Sequence, residues 1–153
     1  MTLKNDSPPQ QLVTFKTGDY IFGVDVLQVQ EVLKHQQLTP VPLATDEVRG
    51  LINLRGHIVT AIGMRERLKL KAASDETTQM NLIVSLRDGS ASLVVDSVGD
   101  VITVDQRRYK SRPSNLKAPL KDIVTGVYEL EKGLLLHINP DHACTTQEDE
   151  QHA

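Results

Sequence analysis

The sequence is short of the features that usually announce chemistry. Tryptophan is absent, and three tyrosines and two phenylalanines are the only aromatics in 153 residues. The core must therefore be aliphatic, rich in Val, Leu and Ile, which is the composition of packed strands. Cys144 is the single cysteine, so no intrachain disulfide can form, and a reducing cytoplasm fits. No apolar run approaches the roughly 20 residues of a membrane-spanning helix. The segment Met1–Gln10 is polar and lacks the apolar core of a signal peptide. Neither sign of charge dominates: 17 basic and 20 acidic residues leave a net charge of −3, which argues against broad nucleic-acid binding. Of the histidines His35, His57, His137, His142 and His152, none has ligand-like spacing, and His142-Ala143-Cys144 offers two metal ligands at best. No nucleophile elbow or phosphate loop is present. These absences point away from an enzyme, and no catalytic, cofactor or metal residue is assigned.

What is present is repetition and glycine punctuation. Gly18-Asp19-Tyr20-Ile21-Phe22-Gly23-Val24-Asp25 runs from glycine to aspartate over the same distance as Gly89-Ser90-Ala91-Ser92-Leu93-Val94-Val95-Asp96. Further on, Gly50-Leu51, Leu54, Gly56 and a strand to Ile62 echo Gly126-Val127, Leu130, Gly133 and Leu134–Ile138. The step from Gly18 to Gly89 is slightly shorter than the step from Gly50 to Gly126, so two copies of one β unit need only a small insertion between them. Many short strands at close spacing, with few helices, suggest two similar small barrels packed together.

Along the chain, Leu12–Lys16 and Tyr20–Val24 read as a hairpin around Thr17-Gly18-Asp19. Asp25 reads as a helix cap, and Val26, Val29 and Leu33 lie at i, i+3 and i+7, which predicts an amphipathic helix closed off by Pro40 and Pro42. Thr45 or Asp46 is placed to cap a short helical turn reaching Leu51. Gly63–Lys71 reads as a charged short helix or turn, and Ala72–Gln79 as a linker. Met80–Arg87 and Ser92–Val98 form the second hairpin, and Ile123–Leu130 and Leu134–Ile138 the last. Arg107-Arg108-Tyr109-Lys110-Ser111-Arg112 is a basic run with one aromatic. Such a run suits phosphate or RNA, but in a chain acidic elsewhere a solvated loop is the preferred reading. Asp25 and Asp96 occupy duplicated positions after strands and are better explained by capping than by paired-carboxylate catalysis.

The segment Val48–Ile62 carries the functional signal. Gly50 and Gly56 bracket Asn53-Leu54-Arg55 and fix where Arg55 points. Exposed charges beside aliphatic surface are what a protein partner reads, because apolar burial gives affinity and charge gives register. Glu31, Lys34, Arg49 and Arg55 are the charges so placed.

These residues match a family. Gly23–Val32, Gly50-Leu51-Ile52-Asn53-Leu54-Arg55-Gly56-His57-Ile58-Val59, Leu93–Val98 and Leu134–Asn139 stand in the order found in CheW, and the chain resembles that family over about Leu12–Ala143. The resemblance implies two five-stranded SH3-like β-barrel subdomains with a few short helices. With the boundary at the linker Ala72–Gln79 they divide as 11–79 and 80–143, and composition marks residues 1–10 as a disordered N-terminus and 144–153 as a disordered acidic tail. The resemblance also implies a non-enzymatic adaptor that couples methyl-accepting chemoreceptors to the histidine kinase CheA. Such an adaptor is cytoplasmic, takes no cofactor, binds no nucleic acid and meets the membrane only through receptors. The receptor groove would use Val26, Val29, Glu31, Arg49 and Arg55 from the first barrel and Met80 and Ala91 from the second. The family often has Pro at Thr60 and Asp at Gly63, so this chain forgoes a helix cap there. The resemblance leaves open an adaptor for pili, biofilm or gene expression, and the fold alone would also suit a generic SH3-like module for peptide or RNA.

Overall fold

Alternation of apolar and polar residues begins at Gln11, and the described residues build eleven strands. The computed structural model describes residues 11–145. The first hairpin joins β1 (Gln11–Thr17) to β2 (Tyr20–Asp25). Then come β3 (Val29–Leu33), β4 (Val48–Leu54), β5 (His57–Gly63) and the short α1 (Met64–Arg67). The hairpin of β6 (Met80–Leu86) and β7 (Gly89–Val95) leads to β8 (Ser97–Thr103) and β9 (Tyr109–Ser111). The described chain closes with α2 (Leu120–Ile123), β10 (Val124–Leu130), β11 (Gly133–Ile138) and α3 (Pro140–Cys144). The expectations for residues 1–10 and 146–153 lie outside the described residues. Cys144, assigned from sequence to the tail, is the last residue of α3.

The strands form two sheets, β8-β1-β2-β11-β10-β9 and β3-β6-β7-β5-β4. The expected division at 79/80 does not coincide with them. The second sheet joins β3–β5 to β6 and β7, and the first joins β1 and β2 to β8–β11. The two halves have exchanged hairpins: β1–β2 sits between β8 and β11, just as β6–β7 sits between β3 and β5. The sixth strand of the first sheet, β9, places Lys110 beside Val127. Its counterpart in the other half is a single bridge, Thr39 to Leu51, made by two backbone hydrogen bonds of 2.9 and 2.8 Å.

The duplication read from the sequence reappears in the core. A large cluster draws on both sheets. It contains the pairs Val13 and Val84, Phe22 and Leu93, and Val24 and Val95, each related by the step that takes Gly18 to Gly89. It also contains Ile62 and Ile138, related by the step that takes Gly50 to Gly126. Two smaller clusters each belong to one sheet. That same second step carries Ile52 and Val59 of one cluster onto Tyr128 and Leu135 of the other. Even the bulges match, between Val48 and Gly50 and between Val124 and Gly126. The parallel junctions differ: Ile62 faces Leu93 in one, whereas Leu136, not Ile138, faces Phe22 in the other. A slip by an even number of positions keeps every side chain on its face, so the core survives it.

Two predicted helical segments are strands. Asp25 does cap, its Oδ1 accepting from the Leu27 N–H at 2.9 Å, but it caps only the single 3-10 turn Val26–Gln28. From Val29 the chain is β3, with Val29, Glu31 and Leu33 half-buried and Gln30 and Val32 exposed. The β-branched Val29 and Val32 favour the strand, where their stiff side chains pack without crowding a preceding turn. The turn proposed after Thr45 stops at Val48, where β4 begins.

Candidate functional site

The β4–β5 turn is set by backbone angles. Leu54 pairs with His57, and the two residues between them, Arg55 and Gly56, have φ of 51° and 89°. Positive φ at both central positions is the pattern of the tightest hairpin turns. The Asn53 side chain adds a brace, its Oδ1 accepting from the Gly56 N–H at 3.0 Å. Gly50 is required for a different reason: a Cβ there would lie 2.6 Å from the Thr39 carbonyl oxygen, where the β3–β4 loop crosses β4.

The turn delivers Arg55 to Glu31. Nη1 donates to Glu31 Oε1 at 3.1 Å and Nη2 to Oε2 at 2.7 Å, a two-pronged pair. Hydrogen bonding to Arg55 holds the Glu31 carboxyl below its ordinary range. The pair has a topological meaning. Glu31 lies on edge strand β3 and Arg55 on the turn leaving edge strand β4, the two ends of the second sheet. Laid flat, four spacings of about 4.8 Å would separate those edges by about 19 Å. The sheet therefore curls far enough for the Glu31–Arg55 side chains to bridge its two edges. Arg55 remains 72% exposed and Glu31 28%. The expectation that glycine geometry positions Arg55 holds at Gly56, and the sequence offers no sign of the partner that Arg55 finds within the chain.

The other expected groove residues divide. Val26, Val29 and Met80 are half-buried and pack against the cluster shared by the sheets. Ala91 is 3% exposed on β7, between Val84 and Thr60. Arg49 turns away into an ion cluster, 3.6 Å from Glu66 and 3.4 Å from Glu76, with Nη1 donating to Gln79 Oε1 at 3.3 Å.

Gly63 explains part of that cluster. Its backbone would accept any residue, but a Cβ there would sit 2.0 Å from Glu66 Oε1 and 2.8 Å from Arg49 Cγ. Glu66 thus fills the space that an aspartate cap would take. Gly63→Asp is expected to destabilise the protein by about 1 kcal/mol by overpacking. In a Glu66→Ala background the same change should cost less, because only the 2.8 Å approach of Arg49 Cγ remains and the aspartate can cap α1. A double-mutant cycle in denaturant reads the difference, and equal effects in both backgrounds would show that Glu66 does not occupy the cap site.

Three further groups have no signature in the sequence. Gln30 Nε2 donates to Ser85 Oγ at 2.9 Å and Ser90 Oγ at 2.7 Å, tying β3 to the β6–β7 hairpin. Asp96 does not cap a helix: Arg65 Nε and Nη2 donate to its two oxygens, each at 2.8 Å, and the Gly18 N–H donates to Oδ2 at 2.8 Å. Finally, Val48, Leu51, Thr60, Ala91 and Cys144 line a groove of about 400 Å³ across β4, β5 and β7 against α3. Burial beside it pushes the Cys144 thiol up to about 12. None of the three leaves a local pattern, since each pairs residues far apart in the chain.

The basic run is engaged locally. Arg107 pairs with Asp105, Lys110 with Glu129, and Arg112 Nη1 donates to the Lys121 carbonyl at 2.5 Å. Among the described residues no group of three His, Cys, Asp or Glu side chains is disposed to hold a metal ion, and no helix is long and apolar enough to cross a membrane.

Comparison with known proteins agrees with this architecture. A CheW-like domain is matched over residues 11–148. The chain is 31% identical to the chemotaxis protein CheW of Treponema pallidum over 76% of its own length and 71% of that protein's. It is 28% identical to the chemotaxis protein CheW of Rhizobium meliloti, covering 92% and 91% of the two chains. The crystal structure of the scaffolding protein TtCheW from Thermoanaerobacter tengcongensis superposes with a TM-score of 0.82 at 24% identity, covering 92% of this chain and 95% of the other, and so shares the fold. A mainly β chain of two related sheets, matched along nearly all its described length, belongs to the CheW family.

Proposed function

We propose that this chain is a non-enzymatic adaptor that couples methyl-accepting chemoreceptors to the histidine kinase CheA within a bacterial chemosensory array. The match to a CheW-like domain across residues 11–148 carries the reading. The adaptor works in the cytoplasm and reaches the membrane through the receptors it holds. Its receptor surface centres on the Glu31–Arg55 pair, with Val26, Val29 and Met80 supplying half-buried apolar floor. Arg49 and Ala91, the first held by three partners and the second almost fully covered, support that surface from behind. An adaptor needs no bond-making chemistry. It holds two partners at once, and coupled sites then share one equilibrium. Each contact can be modest, because effective concentration within an assembly adds to the affinity.

Reconstitution tests the reading. Purified protein, the cognate kinase and receptor-bearing membranes should together raise kinase autophosphorylation, and omission of this protein should abolish the receptor-dependent part. Receptor control that persists without the protein, or binding to neither partner, overturns the assignment.

A further inference from the structure

Strand β9 and the loop at Thr39 cross the two halves in the same way, over different chemistry. The step that takes Gly18 to Gly89 carries Leu38 and Thr39 to Tyr109 and Lys110. The step that takes Gly50 to Gly126 carries Leu51 and Ala61 to Val127 and His137. Thr39 bridges Leu51 just as Lys110 faces Val127. In both halves a glycine beside a bulge clears the way. A Cβ at Gly50 would press on Leu38 and the Thr39 carbonyl, and one at Gly126 would overlap the ring and hydroxyl of Tyr109. In the first half Leu38 packs on the apolar cluster that contains Ala61. In the second, Tyr109 packs on Tyr128 and His137, with ring centroids 5.0 and 6.0 Å away. An ionisable ring thus stands beneath β9 where the other half has alanine.

The packed site favours a neutral His137. The residue is half-buried on β11, between β10 and β2, and burial lowers its pKa below the ordinary histidine value. Thr125, the extra residue of the β10 bulge, places Oγ1 3.0 Å from His137 Nδ1 and 3.2 Å from the His137 carbonyl oxygen. That hydroxyl suits either form of the ring: it can donate to a bare Nδ1, or donate to the carbonyl and accept from a protonated Nδ1. The choice therefore falls to the groups that face the ring. Asp25 of β2 favours the proton, but burial outweighs it. Tyr109 of β9 and Tyr128 of β10 present their rings, and the Tyr128 phenol, pushed up to about 12 by burial, stays uncharged. Lys110 and Glu129 are both exposed and pair with one another.

The element able to yield is β9. It is an edge strand of three residues, with Tyr109 half-buried and Lys110 and Ser111 exposed. We propose that β9 is a proton-released strap, which lies on β10 while His137 is neutral and lifts away when His137 takes up a proton, so that water reaches the imidazolium. Lifting bares the backbone edge of β10 at Gly126–Tyr128 and parts Lys110 from Glu129. With the strap open, His137 returns to its ordinary value of about 6.5. The strap is therefore at full strength above about pH 6.5 and weakens as pH falls below it.

The test reads backbone amide exchange in the full chain between about pH 5.5 and 7.5, corrected for the intrinsic pH dependence of exchange. Protection of β9 and of the facing residues Gly126–Tyr128, relative to the β1–β2 hairpin, should fall by up to roughly tenfold at the acid end, about one unit below the ordinary histidine value. His137→Gln supplies a polar side chain that does not titrate, and it should hold that protection constant across the range. A second readout needs no variant: in the unsubstituted protein the His137 ring resonances and the β9 amide resonances should move together, with one midpoint below about 6.5. Protection that does not change with pH, a dependence that survives His137→Gln, or separate midpoints for ring and strand would each overturn the strap.

Discussion

Asp96→Ala should cost the protein about 2–3 kcal/mol, far more than an ordinary surface ion pair, because one carboxylate serves both sheets. Asp96 lies between β7 of the second sheet and β8 of the first. It receives both prongs of Arg65, which follows β5, and the N–H of Gly18 in the β1–β2 turn. Its own N–H donates to the Lys16 carbonyl at 3.0 Å. Both side chains are only about a quarter exposed, at 25% and 22%, so removing the acid leaves a half-buried guanidinium whose remaining acceptor is the Lys71 carbonyl at 2.8 Å. Denaturant unfolding measures the loss, and a change under about 0.5 kcal/mol would mean that water replaces the pair without penalty.

The same carboxylate sets part of the acid limb. Hydrogen bonds from Arg65 depress its folded pKa despite some opposition from burial. A depressed carboxylate contributes stability that is fully present above its unfolded value of about 4 and lost as pH falls through the folded value. Stability measured downward from about pH 5 should therefore fall less steeply in Asp96→Asn than in the unsubstituted protein. An unchanged slope would assign the acid limb to other carboxylates.

Arg55→Ala should leave melting nearly unchanged yet weaken receptor binding roughly tenfold, as loss of an interface arginine often does. The structure sharpens this expectation, because Arg55 and Glu31 satisfy one another. If they act only as a seam, exchanging the charges with Arg55→Glu and Glu31→Arg together should restore what either change alone removes. If Arg55 offers its exposed face to the receptor, the exchanged pair should fold normally and still fail to bind. We expect the second result, since 72% of the Arg55 side chain faces solvent while Glu31 is largely covered. Recovery of binding in the exchanged protein would reduce the pair to a structural clasp.

Much of the fold is legible because its signals are local. Gly18 and Gly89 mark hairpin turns, and the two steps of the duplication reappear as matched core pairs and matched bulges. The helix predicted from Val26 fails because the strand that replaces it has no clean period of two. Val26, Val29 and Leu33 satisfy a helical stripe, whereas a bulge between Val29 and Glu31 interrupts the alternation of β3 and puts Val29 on the face opposite to Glu31 and Leu33. A bulge in so short a strand hides it. The partners of Arg49 are likewise not legible in the sequence: Glu66 and Glu76 lie well beyond it in the chain and become its neighbours only after β5 and α1 have folded. The exchange of hairpins between sheets is equally invisible, since each hairpin looks the same whichever sheet it joins.

That exchange governs how the polypeptide can mature during synthesis. The β1–β2 hairpin is made first, yet its neighbours are β8 and β11. After Asp25 the ribosome must make all of β3 to β7 before it finishes β8 at Thr103, and it reaches the end of β11 only at Ile138. At about 5–20 residues per second, the earliest hairpin waits roughly 4–16 s for one neighbour and longer for the other. Throughout that interval Phe15 and Phe22, the stacked rings at the centre of the finished core, have nothing from β8 or β11 to cover them. Nascent chains released before β8 emerges should therefore be the aggregation-prone and chaperone-bound species, whichever half of the gene was translated cleanly.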